Sequence, residues 1–403
     1  MSEFLDKIFN KVASGETIFK NRYVLSIDYI PEKILFRDEQ IKKIGEILSP
    51  VIKGLKPSNL LLYGKTGTGK TMVAKYVINK LTNYVNDKAT MFLYLNCRLN
   101  GTPYKVLSEI GNSIGIKIPF TGLSINEVQN RIFNALKEKS IKLILVLDEI
   151  DFLVNSPSKK EVGNDILYRF TRYDSLMNTN DSFVAIVGIS NDLRFMEYLD
   201  GRVQSSLRSE EVLFPPYSVE ELKMILNERV KEAFVEGAVS DEIISLIAAY
   251  SGSEHGDARR AVDLLRVSGE LAEREGAKTI EERHVKEALK NIEKDKVSEA
   301  IASLPVHEKS VLYAITFFPQ GETTGHVYIK YQEICNALGL QPLTQRRISS
   351  IINELDMLGL VSAPVINRGR HGRSKKIQLT INKQQVIEAL RSDESFRMLL
   401  DRA

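Results

Sequence analysis

The chain has little cysteine, little histidine and almost no net charge. Its two cysteines, Cys97 and Cys335, lie far apart in 403 residues. That spacing suits neither a disulfide framework nor a thiolate metal site, and it fits a reducing cytoplasm. The five histidines are scattered, none beside a second ligand at helical spacing, which argues against a metalloenzyme. Lys and Arg number 55 against 52 Asp and Glu, a net charge of +3. A nucleic-acid partner therefore needs basic residues concentrated locally. No run approaches the ~20 consecutive apolar residues of a transmembrane helix. Glu3, Asp6 and Lys7 near the start do not fit a signal peptide, and no repeat or low-complexity run occurs. What remains is ordinary globular composition, 43% apolar and 27% charged, with length for two or three domains of roughly 100–200 residues each.

Near the N-terminus, Phe4, Leu5, Ile8, Phe9 and Val12 fall at helical spacing, the pattern of an arm packed on the main domain. From about residue 59 to 212, apolar strands alternate with amphipathic helices, which predicts an α/β domain with a mainly parallel sheet. The strand candidates are residues 59–63, 91–96, 143–147, 183–189 and 211–214. Phe214-Pro215-Pro216-Tyr217 then punctuates the chain, and residues 218–291 read as helix only. Ser218 with Glu221 makes a capping box, and Ser240 ahead of Ile243, Ile244 and Ile247 opens another helix.

Gly64-Lys65-Thr66-Gly67-Thr68-Gly69-Lys70-Thr71 matches the phosphate-loop pattern G-x-x-x-x-G-K-[ST]. It follows the apolar strand Leu60-Leu61-Leu62-Tyr63 and opens a helix with an apolar face of Val73, Val77, Leu81 and Val85. The glycines let backbone N–H groups curl round phosphates, and the helix N-terminus adds its dipole. Gly67, Thr68, Gly69, Lys70 and Thr71 are thus candidate nucleotide contacts, with Lys70 on the β- and γ-phosphates and the Thr71 hydroxyl on Mg²⁺. The apolar run 143–147 ends in Asp148-Glu149, at the strand end where open α/β sheets hold ligands. Asp148 can hold the Mg²⁺ and Glu149 can act as general base on a water. The strand 183–189 ends in Ser190-Asn191-Asp192, so Asn191 can touch the γ-phosphate or orient that water. In Gly256-Asp257-Ala258-Arg259-Arg260-Ala261, an arginine can swing onto the γ-phosphate; a solvated helix face is the other reading.

Beyond residue 300 come helical patterns, a helix over 344–358 stopped by Gly359, and β-type runs at 360–366 and 376–381 joined by a basic tip. Helix, turn, helix, hairpin is the order of a winged helix. Residues 344–376 carry seven basic residues (Arg346, Arg347, Arg368, Arg370, Arg373, Lys375, Lys376) against Glu354 and Asp356. The helix buries Ile348, Ile351, Ile352, Leu355 and Leu358 and turns Arg346, Arg347, Ser350 and Asn353 outward, as a recognition helix does. The arginines of the tip suit phosphates or a minor groove.

The phosphate loop, the acidic strand end, Asn191 and Arg259 resemble the Walker A, Walker B, sensor 1 and sensor 2 elements of AAA+ ATPases. With Phe19-Lys20-Asn21-Arg22, Asp28-Tyr29-Ile30-Pro31-Glu32, Arg37-Asp38-Glu39, Phe214-Pro215-Pro216-Tyr217 and the winged helix, residues 17 to 395 resemble the archaeal origin-recognition/cell-division-control initiators. The resemblance implies an AAA+ parallel-sheet base over 1–216, an all-helical lid over 217–297 and a winged-helix domain over 298–403. It implies that Tyr29, Ile30 and Pro31 border the adenine, that Tyr217 and Arg229 contact the nucleotide, and that residues 152–181 are an initiator-specific insertion touching DNA through Arg169 and Arg172. One position departs from relatives that fire hydrolysis in a neighbouring subunit: Ser206 stands where they carry an arginine, with Arg202 and Arg208 nearby.

The expectation is an ATP-regulated initiator, active in the cytoplasm on the nucleoid, that binds double-stranded origin DNA. Its cofactors are ATP/ADP and Mg²⁺, and its protein partners are the minichromosome maintenance helicase and other initiator paralogues, with no membrane involved. The ATPase is expected to be a slow switch. The alternatives are a DNA-dependent AAA+ motor or clamp-loader-type ATPase, and a nucleotide-sensing transcription regulator.

Overall fold

The computed structural model describes residues 17–400 except 120, 156, 254–255 and 368–372. The chain divides into two compact units, Met1–Val285 and Lys286–Ala403. The helical pattern at Phe4 to Val12 lies outside the described residues, as do Arg368 and Arg370.

In the first unit, β1 (Leu60–Tyr63), β2 (Thr90–Asn96), β3 (Lys142–Asp148), β4 (Phe183–Ser190) and β5 (Glu210–Leu213) pair in parallel in the order β2-β3-β4-β1-β5. The strands at the centre read as unbroken apolar runs because helices cover both faces. Alternation still sorts the side chains. Leu61, Leu145, Leu147 and Ile186 pack on one face, and Leu60, Leu62, Ile144 and Val146 on the other. Asn59 falls just before β1; its carbonyl accepts from the Glu210 N–H at 2.8 Å, and its side chain ties it to further neighbours: Nδ2 donates to the Leu207 carbonyl at 2.7 Å and Oδ1 accepts from the Ile186 N–H at 2.8 Å. The order sets β3 beside β4, so the carboxylates that end β3 and the polar residues that end β4 share one rim.

The segment after β3 forms helices Pro157–Thr171 and Tyr173–Met177. Ile166, Leu167, Phe170 and Tyr173 join the core, where the Phe133 ring meets both Phe170 and Tyr173 edge-on at 5.2 Å. The segment expected to be an insertion is thus bolted into the α/β unit along one side.

The lid helices Val219–Ala233, Asp241–Ser253 and Ala258–Glu275 follow β5. The Ser218–Glu221 capping box forms, with Ser218 Oγ accepting from the Glu221 N–H at 3.1 Å and Glu221 Oε2 accepting from the Ser218 N–H at 2.8 Å. Residues ahead of the sheet pack on this lid: Phe19 lies 4.7 Å from Phe234, and Lys20 N–H donates to the Ala233 carbonyl.

The second unit sets helices Val306–Ile315, Thr324–Leu338 and Gln345–Met357 around a core that includes Val311, Tyr331, Ile348, Ile351 and Ile352. Strand β9 (Arg373–Leu379) pairs antiparallel with β6 (Glu322–Thr323), β7 (Val361–Ser362) and β8 (Val365–Asn367). The run expected over 360–366 is therefore two short strands. Ala363-Pro364 divides them, since Pro364 offers no N–H to the ladder and keeps only its carbonyl, which accepts from the Lys376 N–H.

Candidate nucleotide site

A cavity of about 970 Å³ opens at the C-terminal ends of β1, β3 and β4, beneath the lid helices. It is lined by Tyr29, Ile30 and Pro31, by Gly67, Gly69, Lys70 and Thr71, by Asp148, Glu149 and Asn191, and by Tyr217, Arg229 and Arg259. Residues spread over more than two hundred positions are thus brought to one cleft. The exception is Thr68. Its side chain is fully buried and donates back to the Lys65 carbonyl at 2.9 Å, because the loop turns inward there; it can offer a ligand its backbone only.

The loop's left-handed positions have structural reasons. Gly69 (φ 93°) starts the Lys70–Thr82 helix, and a Cβ there would lie 2.9 Å from the Tyr217 hydroxyl. At Gly67 (φ 72°) a Cβ would lie 1.7 Å from the Asp257 carboxylate, and the Ala258 N–H donates to the Gly67 carbonyl at 3.1 Å. The lid helix that carries Arg259 therefore starts on the phosphate loop itself, which places Arg259 in the cleft and not on a remote solvated face.

The Lys70 ammonium is 4% exposed and donates to the Gly64 and Lys65 carbonyls, both at 2.7 Å. Burial lowers its pKa to about 8. A cation so placed has only neutral acceptors, and phosphate oxygens suit it better. Thr71 Oγ1 donates to Asp148 Oδ2 at 2.8 Å, while Asp148 Oδ1 accepts from the Glu149 N–H at 2.9 Å. Glu149 adopts φ 51°, an uncommon backbone for this residue type. Its carboxylate is held: Asn96 Nδ2 donates to Oε1 at 3.2 Å, and Arg98 Nε reaches Oε2 at 2.8 Å. Asn96 is itself fixed, because its Oδ1 accepts from the Arg98 and Leu99 N–H groups at 3.0 Å.

At the other end of the cavity, the Arg229 guanidinium lies 4.6 Å over the Tyr29 ring and donates to the Val24 carbonyl at 3.0 Å, and the Tyr29 hydroxyl donates to Glu232 Oε2 at 2.5 Å. Tyr29, Ile30 and Pro31 line this end of the cavity beside the lid's Arg229, an aromatic and apolar stretch of wall that suits a nucleobase. Hard oxygens of Thr71 and Asp148 suit Mg²⁺, which keeps waters and phosphate oxygens as its remaining ligands. Among the described residues, no group of three His, Cys, Asp or Glu side chains could hold a metal by itself.

Sequence reasoning gave no role in this site to Arg37. Its guanidinium, 2% exposed, donates to the Thr68 carbonyl at 3.0 Å, the Phe36 carbonyl at 2.8 Å and the Pro215 carbonyl at 2.7 Å. Burial lowers its pKa. Arg37-Asp38-Glu39 enters the family resemblance as a motif, but its residues by themselves read as an ordinary helix start and point to no contact with the phosphate loop.

The expected DNA contacts are differently placed. Arg169 donates to Asn126 at 2.8 Å and Asn130 at 2.5 Å, so it braces the insertion helix, whereas the Arg172 side chain is exposed. Ser206 accepts or donates at 2.8 Å to Thr171 and packs the end of the insertion helix. In the second unit, Arg346 is exposed, Arg347 pairs with Glu354 at 3.1 Å, and Lys375 of β9 contacts Asn353 of the Gln345–Met357 helix. Arg373 opens β9. Among the described residues, no helix is long and apolar enough to cross a membrane.

A parallel sheet with a phosphate loop, an acidic strand end and a helical lid defines an AAA+ ATPase, here followed by a winged helix. Residues 55–196 match the AAA domain family, residues 223–290 the Cdc6 AAA+ ATPase-type lid domain and residues 299–389 the CDC6 C-terminal winged helix domain. The chain is 46% identical over 399 residues to ORC1-type DNA replication protein 1 of Sulfurisphaera tokodaii, covering 98% of each. It is also 46% identical to the ORC1-type DNA replication protein of Thermococcus kodakarensis, covering 99% of this chain and 97% of that one. The Aeropyrum pernix ORC1 protein solved in complex with DNA superimposes with a TM-score of 0.86 at 42% identity, over 95% of this chain and 99% of that one. The chain belongs to the archaeal ORC1-type DNA replication proteins, the Orc1/Cdc6 family of AAA+ origin-recognition ATPases.

Proposed function

We propose that the protein is an ATP-dependent replication initiator that binds origin duplex DNA and helps recruit the replicative helicase, the minichromosome maintenance complex. Its ATPase works as a slow switch, and its base-specific grip lies in the winged helix, with Arg172 of the insertion adding a phosphate contact. The observation that carries this reading is the cavity that gathers Lys70, Thr71, Asp148, Glu149, Asn191 and Arg259 together with Tyr29, Ile30 and Pro31, in a chain that also carries a winged helix.

In the nucleotide site, Lys70 neutralises the β- and γ-phosphates and Arg259 reaches the γ-phosphate. Thr71 and Asp148 would hold Mg²⁺, which would supply further positive charge to the phosphates. Asn191 orients the attacking water, and Glu149 accepts its proton at a carboxylate oxygen. In the arrangement described, that oxygen is occupied by Arg98 or Asn96, and no arginine stands at Ser206; both support slow turnover. The wall of Tyr29, Ile30, Pro31 and Arg229 takes the adenine, and Tyr217 backs the phosphate loop. The test is mapping of bound chromosomal sites, with ATP and with Lys70→Ala. Enrichment at replication origins that weakens in the variant is expected, and enrichment at promoters alone overturns the reading.

A further inference from the structure

Tyr94 sits in β2, two residues before Asn96, on the strand beside the one that ends in Asp148. Its ring packs with Phe92 on the core face that also holds Ile144 and Val146, so packing accounts for an aromatic side chain there. Packing does not account for the hydroxyl. That hydroxyl donates to Asp148 Oδ2 at 2.6 Å, the oxygen that also accepts from Thr71 at 2.8 Å. With the Glu149 N–H on Oδ1 at 2.9 Å, three of the carboxylate's roughly four lone-pair directions are filled, and one on Oδ1 remains. The ring is held in turn: Lys75, one helical turn beyond Thr71, sets its ammonium 4.4 Å from the ring centroid.

We propose that Tyr94 is a positioning residue for the nucleotide's divalent cation: its hydroxyl locks Asp148 so that a single carboxylate direction faces the metal. The inference rests on the nucleotide reading above and deepens it. Thr71 and the Glu149 N–H place one donor on each carboxylate oxygen, and Tyr94 adds a second donor on Oδ2 that further resists rotation about the terminal torsion. Outer-shell donors of this kind typically govern metal affinity by 10–100-fold.

The test is Tyr94→Phe in the full-length protein, which keeps the ring and removes the bond. A fluorescent ATP analogue is titrated at a series of free Mg²⁺ concentrations and in EDTA. The variant is expected to match the parent in EDTA and to need roughly tenfold or more Mg²⁺ to reach half of its metal-dependent gain in affinity. In an Asp148→Asn background, Tyr94→Phe is expected to change nothing further. An unchanged Mg²⁺ midpoint overturns the proposal and leaves the nucleotide reading standing. A parallel loss of affinity in EDTA assigns the phenol to the fold and also overturns it, as does a shift that persists with Asp148→Asn. Failure of the parent itself to bind the analogue rejects the nucleotide reading, and this inference with it.

Discussion

The guanidinium carbon of Arg37 lies 3.7 Å from the centroid of the Tyr217 ring, with both side chains buried. Arg37 stands ahead of the helix Asp38–Leu48, and Tyr217 lies where the sheet hands the chain to the lid. Because the same guanidinium holds the Thr68 and Pro215 carbonyls, one side chain joins the phosphate loop to the base–lid connection.

Removing that side chain leaves two interior carbonyls without a donor, at roughly 1–3 kcal/mol each. Arg37→Ala is therefore expected to lose about 2–4 kcal/mol of stability and to bind ADP more weakly than the parent. Arg37→Lys is expected to recover little, since an ammonium cannot reproduce the planar fork and its stacking. Thermal unfolding with and without ADP checks both variants. A fully stable Arg37→Lys with parental affinity would remove the guanidinium from this role.

A pH dependence follows from Lys70. In an unfolded chain a lysine keeps its proton to about pH 10.4, whereas in this fold burial brings Lys70 to about 8. Between those values the unfolded state binds more protons, so the Lys70 contribution to stability rises with pH across that window and is a cost below it. Phosphates restore the charged form. Nucleotide binding should then take up a proton above about pH 8 and weaken as pH rises. Calorimetry of ADP binding in buffers of different ionisation enthalpy is expected to show uptake near pH 8.5 and none near pH 6.5. Uptake that is absent at both, or that survives Lys70→Ala, would take the phosphates away from Lys70.

Much of this site is legible in the sequence because its parts are local. The phosphate loop needs eight consecutive residues, and Asp148-Glu149 announces itself by ending an apolar strand. Asn191 becomes legible once β4 is known to lie beside β3, and Arg259 once the lid helix is seen to start on Gly67. What the sequence hides is tertiary. Arg37 looks like a charged residue before a helix until two distant carbonyls, of Thr68 and Pro215, converge on it. Tyr94 looks like any aromatic in a strand, and only the neighbouring strand supplies the carboxylate that its hydroxyl meets. Arg169 looks free because Asn126 and Asn130 lie some forty residues away on another helix. The wing shows the opposite case, where Pro364 breaks an apolar run that periodicity alone reads as continuous.

The held carboxylate of Glu149 predicts how turnover responds to mutation. Glu149→Gln is expected to bind ATP with near-parental affinity and not cleave it, because the side chain acts on the water and not on the phosphates. An arginine finger can contribute ~10³–10⁵ in rate. With serine at position 206 the parent is expected to hydrolyse far below one ATP per second. Arg98→Ala frees one carboxylate oxygen and is expected to raise that rate by no more than about fivefold, the weight of a partly exposed ion pair. Phosphate-release assays on the three proteins check the set. Parental turnover of tens per second, or a slower Arg98→Ala, contradicts it.

The last expectation concerns DNA, where pairing within the protein separates residues that sequence alone treats alike. Arg346 and Arg172 are exposed and neither meets a carboxylate among the described residues, so each is expected to act as a phosphate contact. Replacing either by Ala is expected to weaken all duplexes about equally and to flatten the plot of log affinity against log salt by roughly 0.9. Arg347 is different, because Glu354 competes for it at 3.1 Å. To read a base edge it must leave that carboxylate, so Arg347→Ala is expected to relax discrimination between origin and random DNA by ~1–3 kcal/mol. Glu354→Gln is expected to strengthen binding to both. Arg169→Ala is expected to act mainly on stability, since its guanidinium braces Asn126 and Asn130. Binding isotherms of the full-length variants at several salt concentrations, on origin and random duplexes, separate these outcomes. A reduced salt slope for Arg169→Ala with unchanged stability, or an unchanged slope for Arg172→Ala, would move the insertion's DNA contact from the exposed arginine to the one held by its neighbours' amides.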